Sequence, residues 1–501
     1  MSEFISGSLR ILFDMQAAQT RDSAKRGVGR YSRALFEKIA STESSHEVFM
    51  LKSAHLTHDY NTETLSPARV LEAPPMPEWN SKRSYAGGDE DALDGVAISA
   101  LAQSIKPDVI HLSHVFEGFS ERVGLFDPLL ATGAQVVSAT LYDFIPLLFQ
   151  EHYFQNPLFR RWYHSRLAWL RKADLLLAIS ESTRQDAIGL LGIEPWRIVT
   201  IHGGIGEHFQ PPKDKKQARR RLLKAFPLRE KMVLYTGGVD FRKNIKGAIR
   251  AFAQVDKKLR ENTQLVIVCS MQPQRKDMYL DVARKSGLGE EDILFTGFVE
   301  EKDLIDFYGA CDVFVFPSLY EGLGLPVLEA MACGAPVIGG NNSSVRELIV
   351  RKDALFDAAN DNSIAESISK VLKDKNFASD LRSHGLKRAA EFTWQRTAGL
   401  ALEAFEEAIS RKHSSGIQCA VNGWLPRRRL AVLSPLPPCR SGIADYNAQF
   451  LPFLARHFEI DLYVDGYVVD DGALSSAFRI FDVKDFEGVA ASYDLILYEF
   501  G

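Results

Sequence analysis

Two glutamates around a glycine turn form the most chemically informative pattern in this 501-residue sequence. Glu321 precedes the turn Gly322–Leu325, and Glu329 follows it, with seven residues between the two acids. Pro326 suits the first turn of a helix, where a missing N–H leaves no hydrogen bond unmade. The N–H groups of such a turn and the positive end of the helix dipole bind anions such as a diphosphate. The carboxylates suit sugar hydroxyls, so the pattern predicts recognition of a nucleotide sugar; the alternative is an ordinary connection with two solvated glutamates.

The elements on either side of this turn can be predicted from local pattern. The apolar, β-branched run Asp312–Phe316 is typical of a buried parallel strand. The helix after the turn is expected to end at Gly334, with Pro336 beyond it as a stop. Strands and helices alternate along the rest of the chain, which predicts an α/β fold with parallel sheets that bind ligands at the carboxyl ends of their strands.

A second glycine turn carries two cations. The predicted strand Met232–Val239 leads into Asp240–Asn244, which contains Arg242 and Lys243. If this turn faces the same crevice, the two cations would neutralise a diphosphate leaving group. Solvated surface cations are the alternative interpretation.

The first half of the chain holds a further glycine turn and polar residues at strand ends. Gly27–Tyr31 opens an amphipathic helix. Asp143 follows the predicted strand Gln135–Leu141 and is the strongest polar candidate there, able to bind a sugar hydroxyl or the acceptor. His111 and His114 stand near the end of another strand, where α/β sheets bind ligands, but packed histidines fit the pattern at least as well.

The segment PSLYEGLGLPVLEAMACGAPVI, which contains both glutamates, resembles the signature of retaining glycosyltransferase family 4. The resemblance covers roughly residues 8–410. It implies the GT-B fold, in which two Rossmann-like parallel-sheet domains face each other across a cleft. It also implies that Gly297–Val299 contacts the nucleotide base through its backbone, and that transfer retains the anomeric configuration.

The residue pattern and the resemblance together assign roles to individual residues. The candidate catalytic residues are Glu321 and Asp143. The candidate donor-binding residues are Gly29, Arg242, Lys243, Phe298, Gly322, Leu323, Gly324, Leu325 and Glu329. The candidate acceptor-binding residues are Arg30, Tyr31, Tyr142 and His114. Two positions depart from the family pattern, since many members carry a His in place of Tyr142 and an Arg in place of Gly238.

The substrate follows from a narrower resemblance. The segments YDFIPLL and GGVDFRKN and the tandem layout resemble bacterial mannosyltransferases that build O-antigen polysaccharide. This implies GDP-mannose as donor and a lipid-linked glycan as acceptor. No metal or other cofactor is expected if the two cations and the helix N-terminus carry the charge of the diphosphate. A UDP-hexose donor is the nearest rival, and an epimerase or nucleotide-sugar binding protein of the same fold is the alternative from another class.

The expected domain organisation has five parts. They are an N-terminal acceptor-side domain (1–203), a nucleotide-sugar-binding domain (204–391), a helix that crosses back (392–410), a linker (411–428) and a partial α/β segment (429–501). The last part repeats the opening of the chain, because the strand Leu430–Pro435 leads into a glycine turn at Ser441–Tyr446 and a helix. We therefore expect it to be the truncated start of a second glycosyltransferase domain.

Composition and local pattern indicate the compartment of the protein and its possible partners. The net charge of −4 gives no overall case for nucleic acid, and five scattered cysteines indicate a reducing compartment. No signal peptide or spanning segment is expected, so the predicted location is the cytoplasm. Asn156–Lys172 is a basic, aromatic helix that could lie on the inner membrane or pack its aromatic rings on the core. The acids Asp89–Asp91 are expected to be solvated loop charges.

Overall fold

The computed structural model describes residues 8–42, 46–56, 58, 69–73, 89–133, 135–420, 428–455, 458–487, 489–490, 493 and 495–498. Two compact units are present, residues 1–86 with 94–412 and residues 87–93 with 413–501. Within the described part of the chain, every helix is too short or too polar to span a bilayer.

The first domain is a seven-stranded parallel sheet flanked by helices. Its strands are β1 (Arg10–Asp14), β2 (Glu47–Ser53), β3 (Val70–Ala73), β4 (Val109–Leu112), β5 (Val136–Leu141), β6 (Leu175–Ala178) and β7 (Ile198–Thr200). The helices of this part of the chain are α1 (Gly27–Ser41), α2 (Asp89–Gln103), α3 (Ile145–Leu148), α4 (Gln150–Tyr153), α5 (Pro157–Lys172) and α6 (Glu181–Leu191). The strand order β3-β2-β1-β4-β5-β6-β7 reverses direction beside β1, as in a doubly wound fold.

The second domain repeats this plan. Its strands are β8 (Lys231–Thr236), β9 (Thr263–Val268), β10 (Ile293–Phe295), β11 (Val313–Phe316), β12 (Val337–Gly340) and β13 (Leu355–Phe356). Its helices are α7 (Lys215–Ala225), α8 (Ile245–Gln254), α9 (Lys257–Arg260), α10 (Pro273–Lys285), α11 (Glu301–Ala310), α12 (Leu325–Ala332), α13 (Val345–Ile349), α14 (Asp361–Lys373) and α15 (Lys375–Ala389). The order β10-β9-β8-β11-β12-β13 is again parallel and doubly wound, so the predicted α/β class with two Rossmann-like sheets is confirmed.

A long helix, α16 (Trp394–Ala420), returns from the second domain to the first. Its Phe405 is fully buried, with its ring centroid 6.4 Å from that of Phe13 on β1. The predicted linker at 411–428 therefore differs from the structure, because residues 411–420 continue the helix. Serine and glycine weaken a helix only by up to about 1 kcal/mol each, and an established helix extends cooperatively through them.

The second unit holds a smaller parallel sheet. Its strands are β14 (Arg428–Leu433), β15 (Phe458–Val464), β16 (Arg479–Asp482) and β17 (Leu495–Tyr498), and its helices are α17 (Gly442–Leu454) and α18 (Gly472–Ala477). The order β16-β15-β14-β17 is the same as that of β3-β2-β1-β4. The expected repeat of the opening of the chain is therefore present at the level of strand order.

Two local expectations are resolved by packing. The aromatic rings of α5 point into the core, since Trp162, Tyr163 and Trp169 are buried, while Arg160 and Arg161 are exposed. The packed interpretation of this helix therefore accounts for its aromatic residues. The acids at 89–91 begin α2 rather than lying in a loop.

The two chain segments that connect the domains of the first unit lie in close contact at Gly204. The amide of Ile205 donates to the carbonyl of Phe392 at 3.0 Å, so the outgoing and returning segments pair directly. A side chain at Gly204 would drive its Cβ into the backbone nitrogen of Trp394. Only a residue without a Cβ lets these two segments approach so closely.

We expect Gly204→Ala to lower the stability of the protein by about 1–3 kcal/mol, because the clash is with backbone and cannot be relieved by a rotamer change. The matched control is Gly189→Ala on the exposed face of α6, where a Cβ meets no atom within 4 Å. That change should raise stability by up to about 1 kcal/mol through helix propensity. Thermal unfolding of both variants checks this, and a Gly204→Ala protein as stable as the wild type would contradict it.

Candidate functional site

The glycine turn after β11 has the geometry that its sequence indicated. Gly324 has φ of +96°, a left-handed conformation that side chains rarely adopt, and forms the N-cap of α12. It supplies no side-chain cap to the first turn of that helix, and Pro326 stands at the start of the helix. Within the described residues, the first-turn amides of α12 thus receive no side-chain acceptor from the N-cap position, and the positive end of the helix dipole lies there.

Gly322 lies against the first domain. A Cβ there would overlap the carbonyl oxygen of Tyr142 and lie 3.2 Å from the Cβ of Asp143. Thr183, on α6, donates its hydroxyl to the same Tyr142 carbonyl at 3.0 Å. The predicted turn of the second domain and the predicted strand end of the first domain are therefore in direct contact.

Both cations of the second glycine turn bind Glu321. Arg242 and Lys243 lie in a short 3₁₀ helix, Phe241–Lys243, which Asp240 caps through its side chain. Arg242 Nη1 lies 2.7 Å from Glu321 Oε2, and Lys243 Nζ lies 2.6 Å from Oε1. Glu321 is 5% exposed, and the side chains of Arg242 and Lys243 are 17% and 13% exposed. The two cations and the carboxylate therefore form a largely buried cluster rather than a set of surface charges.

The charges of this cluster set the protonation of its members. Burial by itself raises the pKa of Glu321, but the charges of Lys243 and Arg242 outweigh burial and lower the pKa to about 2. Burial lowers the pKa of Lys243, and the charge of Glu321 opposes that shift. Glu321 is therefore ionised at neutral pH, and an ionised carboxylate is an acceptor for sugar hydroxyls.

Glu329 is held by a residue from each domain. It is 7% exposed, and Tyr308 on α11 donates its hydroxyl to Oε2 at 3.0 Å. Arg30, near the start of α1, approaches Oε1 with Nη2 at 3.9 Å. Burial raises the pKa of Glu329, and the charge of Arg30 and the hydrogen bond from Tyr308 oppose that shift.

The two predicted acceptor-side tyrosines are buried beneath the surface. Tyr31 is 2% exposed and donates its hydroxyl to the carbonyl of His202. Tyr142 is also buried, and its hydroxyl lies 3.0 Å from that of Ser32. Their ring centroids are 5.3 Å apart in an edge-to-face arrangement. The structure therefore places both side chains in packing positions, with their hydroxyl groups bonded inside the first domain.

The remaining predicted residues differ in their surroundings. Phe298 is 75% exposed, whereas Gly29 packs so closely on the backbone at Ser23 and Ala24 that a Cβ would overlap it. Asp143 is partly buried, and Oδ1 accepts a hydrogen bond from the amide of Ile145 at 3.0 Å.

The two candidate histidines lie in different environments. His111 is fully buried between the hydroxyls of Ser138 and Thr140, and burial lowers its pKa to about 3. It is thus a packed histidine. His114 Nδ1 lies 3.2 Å from the buried carboxylate of Glu117, a residue that the sequence did not single out.

Glu117 joins several segments of the first domain. It accepts hydrogen bonds from Thr20 at 3.0 Å and from Ser23, both in the segment before α1. The sequence indicated Glu117 only through its position three residues after His114, and this spacing is too common to predict a contact.

Further residues tie the domains together beside the cations. Tyr153 Oη lies 2.9 Å from both carboxylate oxygens of Asp240, and Tyr320 donates its hydroxyl to Asp186. The ring of His152 stacks on Phe241 at 3.8 Å. Sequence patterns did not reveal these contacts, because each joins residues far apart in the chain.

Two family models match this chain, one for each of its two domains. Residues 25–208 match the family model described as Glycosyltransferase Family 4, and residues 214–388 match Glycosyl transferases group 1. Sucrose-phosphate synthase from Thermosynechococcus elongatus is similar in structure, with a TM-score of 0.56 at 20% identity over 82% of this chain and 100% of that chain. Such neighbours have the GT-B fold, so the predicted GT-B architecture is confirmed.

Two curated relatives come from Escherichia coli. The serotype-specific mannosyltransferase WbdA is 31% identical over 80% of this chain and 48% of its own length. The O-antigen chain mannosyltransferase B is 29% identical over 47% of this chain and 61% of its own length. The chain therefore spans less than two thirds of either relative. Since adjacent family models match its two domains in turn, residues 25–208 and 214–388 are glycosyltransferase domains of family 4 and group 1.

Proposed function

We propose that this protein is a retaining glycosyltransferase that moves mannose from GDP-mannose to a hydroxyl of a growing, lipid-linked polysaccharide in O-antigen biosynthesis. The observation that carries the proposal is the buried cluster of Arg242 and Lys243 on Glu321, beside the N-terminus of α12. The mannosyltransferase relatives support the choice of sugar and of pathway. The choice of GDP rests on resemblance alone.

The cations and the helix N-terminus would take the charge of the leaving diphosphate. An ammonium group has three donors, and among the described residues Lys243 makes one hydrogen bond, to Glu321. The Arg242 guanidinium has five donors, and Nη1 serves Glu321 and the carbonyl of Tyr320. Both cations therefore keep donors for phosphate oxygens, although Asp240 and Asp143 add negative charge near Arg242. Charge that develops on the leaving group would be stabilised by donors already in place.

The carboxylates would bind the sugars of the donor. Glu321 would accept a hydrogen bond from the transferred hexose, and Glu329 from the ribose. Phe298 and its neighbours would lie near the base. On this assignment the two acids, one at each end of the turn, set the direction in which the nucleotide sugar lies.

The acceptor would approach from the first domain. Asp143, which packs against the glycine turn, would bind or orient its hydroxyl, with Arg30 and His114 further along the same edge of the sheet. Tyr31 and Tyr142 would support this surface from below. A lipid-linked acceptor would bring the protein to the cytoplasmic face of the inner membrane, where the exposed Arg160 and Arg161 of α5 would meet anionic lipid.

The direct test supplies the purified chain with GDP-mannose, with and without octyl α-mannoside as acceptor. We expect GDP to appear only when the acceptor is present, because transfer needs a hydroxyl to receive the sugar. Release of UDP from UDP-glucose under the same conditions would replace the donor assignment with the UDP-hexose alternative. Conversion of GDP-mannose without acceptor would favour an epimerase and contradict transfer.

We expect Lys243→Met to weaken GDP binding by roughly tenfold to a hundredfold, because a charge-assisted hydrogen bond to the diphosphate is lost. Lys215→Met is the control, since Lys215 is an exposed lysine of the second domain, outside this cluster, that donates to the carbonyl of Cys311. Isothermal titration calorimetry with GDP compares the two variants. Equal affinity in wild type and Lys243→Met would remove this residue from the diphosphate site.

Glu321→Gln should lower kcat by about a hundredfold or more while GDP affinity does not fall, since the carboxylate is assigned to the sugar and not to the diphosphate. Asp306→Asn is the matched control, because Asp306 is a buried carboxylate paired with Arg221 at 2.6 Å. Both changes should lower the melting temperature by removing one partner of a buried ion pair. A Glu321→Gln enzyme with wild-type kcat, corrected for folded fraction, would refute the assignment.

A further inference from the structure

Tyr308 lies behind Glu329 and is fully buried on α11. Its hydroxyl donates to Glu329 Oε2 at 3.0 Å and lies 2.8 Å from the hydroxyl of Thr236, the last residue of β8. Since the Tyr308 proton is used on the carboxylate, the Thr236 hydroxyl must donate to the Tyr308 oxygen. The three side chains therefore form a one-directional chain of hydrogen bonds, from Thr236 through Tyr308 to Glu329.

The surroundings of this chain are apolar. The centroid of the Tyr308 ring lies 5.6 Å from that of Phe314 and 6.4 Å from that of Phe209, and both pairs are edge to face. A hydroxyl and a carboxylate buried among such rings are costly unless each finds a partner. A phenylalanine at position 308 would place the same ring there without that requirement, so the hydrogen-bonded chain points to a role for the Glu329 carboxylate at its end.

That end is the second oxygen of Glu329. Oε1 faces Arg30, whose Nη2 is 3.9 Å away, beyond ordinary hydrogen-bond distance, and whose side chain is 52% exposed. An exposed side chain at this distance can move aside when a ligand enters. With Oε2 fixed by Tyr308, Oε1 is the oxygen left to accept a hydrogen bond from a hydroxyl in the cleft.

We propose that Tyr308 and Thr236 are positioning residues that hold one oxygen of Glu329 so that the other accepts a hydrogen bond from a ribose hydroxyl of the donor. This inference rests on the proposed function, in which Glu329 binds the ribose. It adds a specific consequence: the hydroxyl of Tyr308, which never touches the nucleotide, sets how strongly the protein prefers a ribonucleotide over one that lacks the ribose hydroxyls.

The test compares the affinities of GDP and 2′,3′-dideoxy-GDP in the full chain by titration calorimetry, with UDP and its dideoxy analogue as a second pair. Wild type should prefer the ribonucleotide by on the order of tenfold or more, the worth of a hydrogen bond to a charged group. Tyr308→Phe should bind the dideoxy analogue as wild type does but prefer the ribonucleotide by only about threefold or less. Thr236→Val, a near-isosteric change, should give an intermediate preference.

The control is Tyr463→Phe, the same change at a buried tyrosine of the second unit whose hydroxyl lies 2.7 Å from that of Tyr493. It should keep the wild-type preference. A Tyr308→Phe protein that loses affinity equally for both nucleotides, or that keeps the full preference together with Thr236→Val, would overturn the positioning role while leaving the proposed function intact. A wild type with no preference for the ribonucleotide would overturn the ribose assignment of Glu329 itself.

Discussion

The ion cluster of Glu321 with Arg242 and Lys243 is the interaction on which the rest of the site depends. One buried carboxylate and two partly buried cations lie together, and such a cluster persists only where geometry and hydrogen bonding are good. Glu321 holds the two cations at 2.7 and 2.6 Å, and the tertiary fold brings its strand end and the 3₁₀ helix to the same place. A phosphate group that enters would thus meet donors whose positions are already set, which is the condition for electrostatic stabilisation of a leaving group.

The site is assembled from both domains, so it depends on how closely they approach. Gly322 permits contact with the carbonyl of Tyr142 because it has no Cβ. Beside the cations, Tyr153 from the first domain holds Asp240, which in turn caps the 3₁₀ helix that carries Arg242. The two domains thus do more than enclose a cleft: residues of the first fix the orientation of charged groups of the second.

The two glutamates of the site are held in different ways, and the difference fits different tasks. Glu321 is ionised beside its cations, which lower its pKa to about 2, and each of its oxygens accepts a hydrogen bond from one cation and keeps a lone pair for a further donor. Glu329 is held at one oxygen by a neutral hydroxyl, and its other oxygen lies 3.9 Å from Arg30. One acid thus accepts hydrogen bonds from cations at both oxygens, while the other accepts from a neutral hydroxyl at one oxygen.

The strand–turn–helix around residues 312–334, the cations after β8 and the repeated α/β alternation could all be predicted from the sequence. These features are local: hydrophobic period, glycine at a positive φ and proline in a first helical turn act within a few residues. The same segment resembles a family signature, and that resemblance implied the GT-B fold.

Only the tertiary structure decided which side chains meet. Lys243 and Glu321 are 78 positions apart, and Tyr153 and Asp240 are 87 apart, so no local pattern encodes their contact. Burial likewise separated residues that look alike in sequence: His111 is packed, His114 is held by Glu117, and Tyr308 lies hidden on a helix without a motif. The sequence by itself determined the elements and the chemistry they can offer. The packing of the two domains decided which side chains contact each other, because that packing sets the distances, the burial and the electrostatic environment at the site.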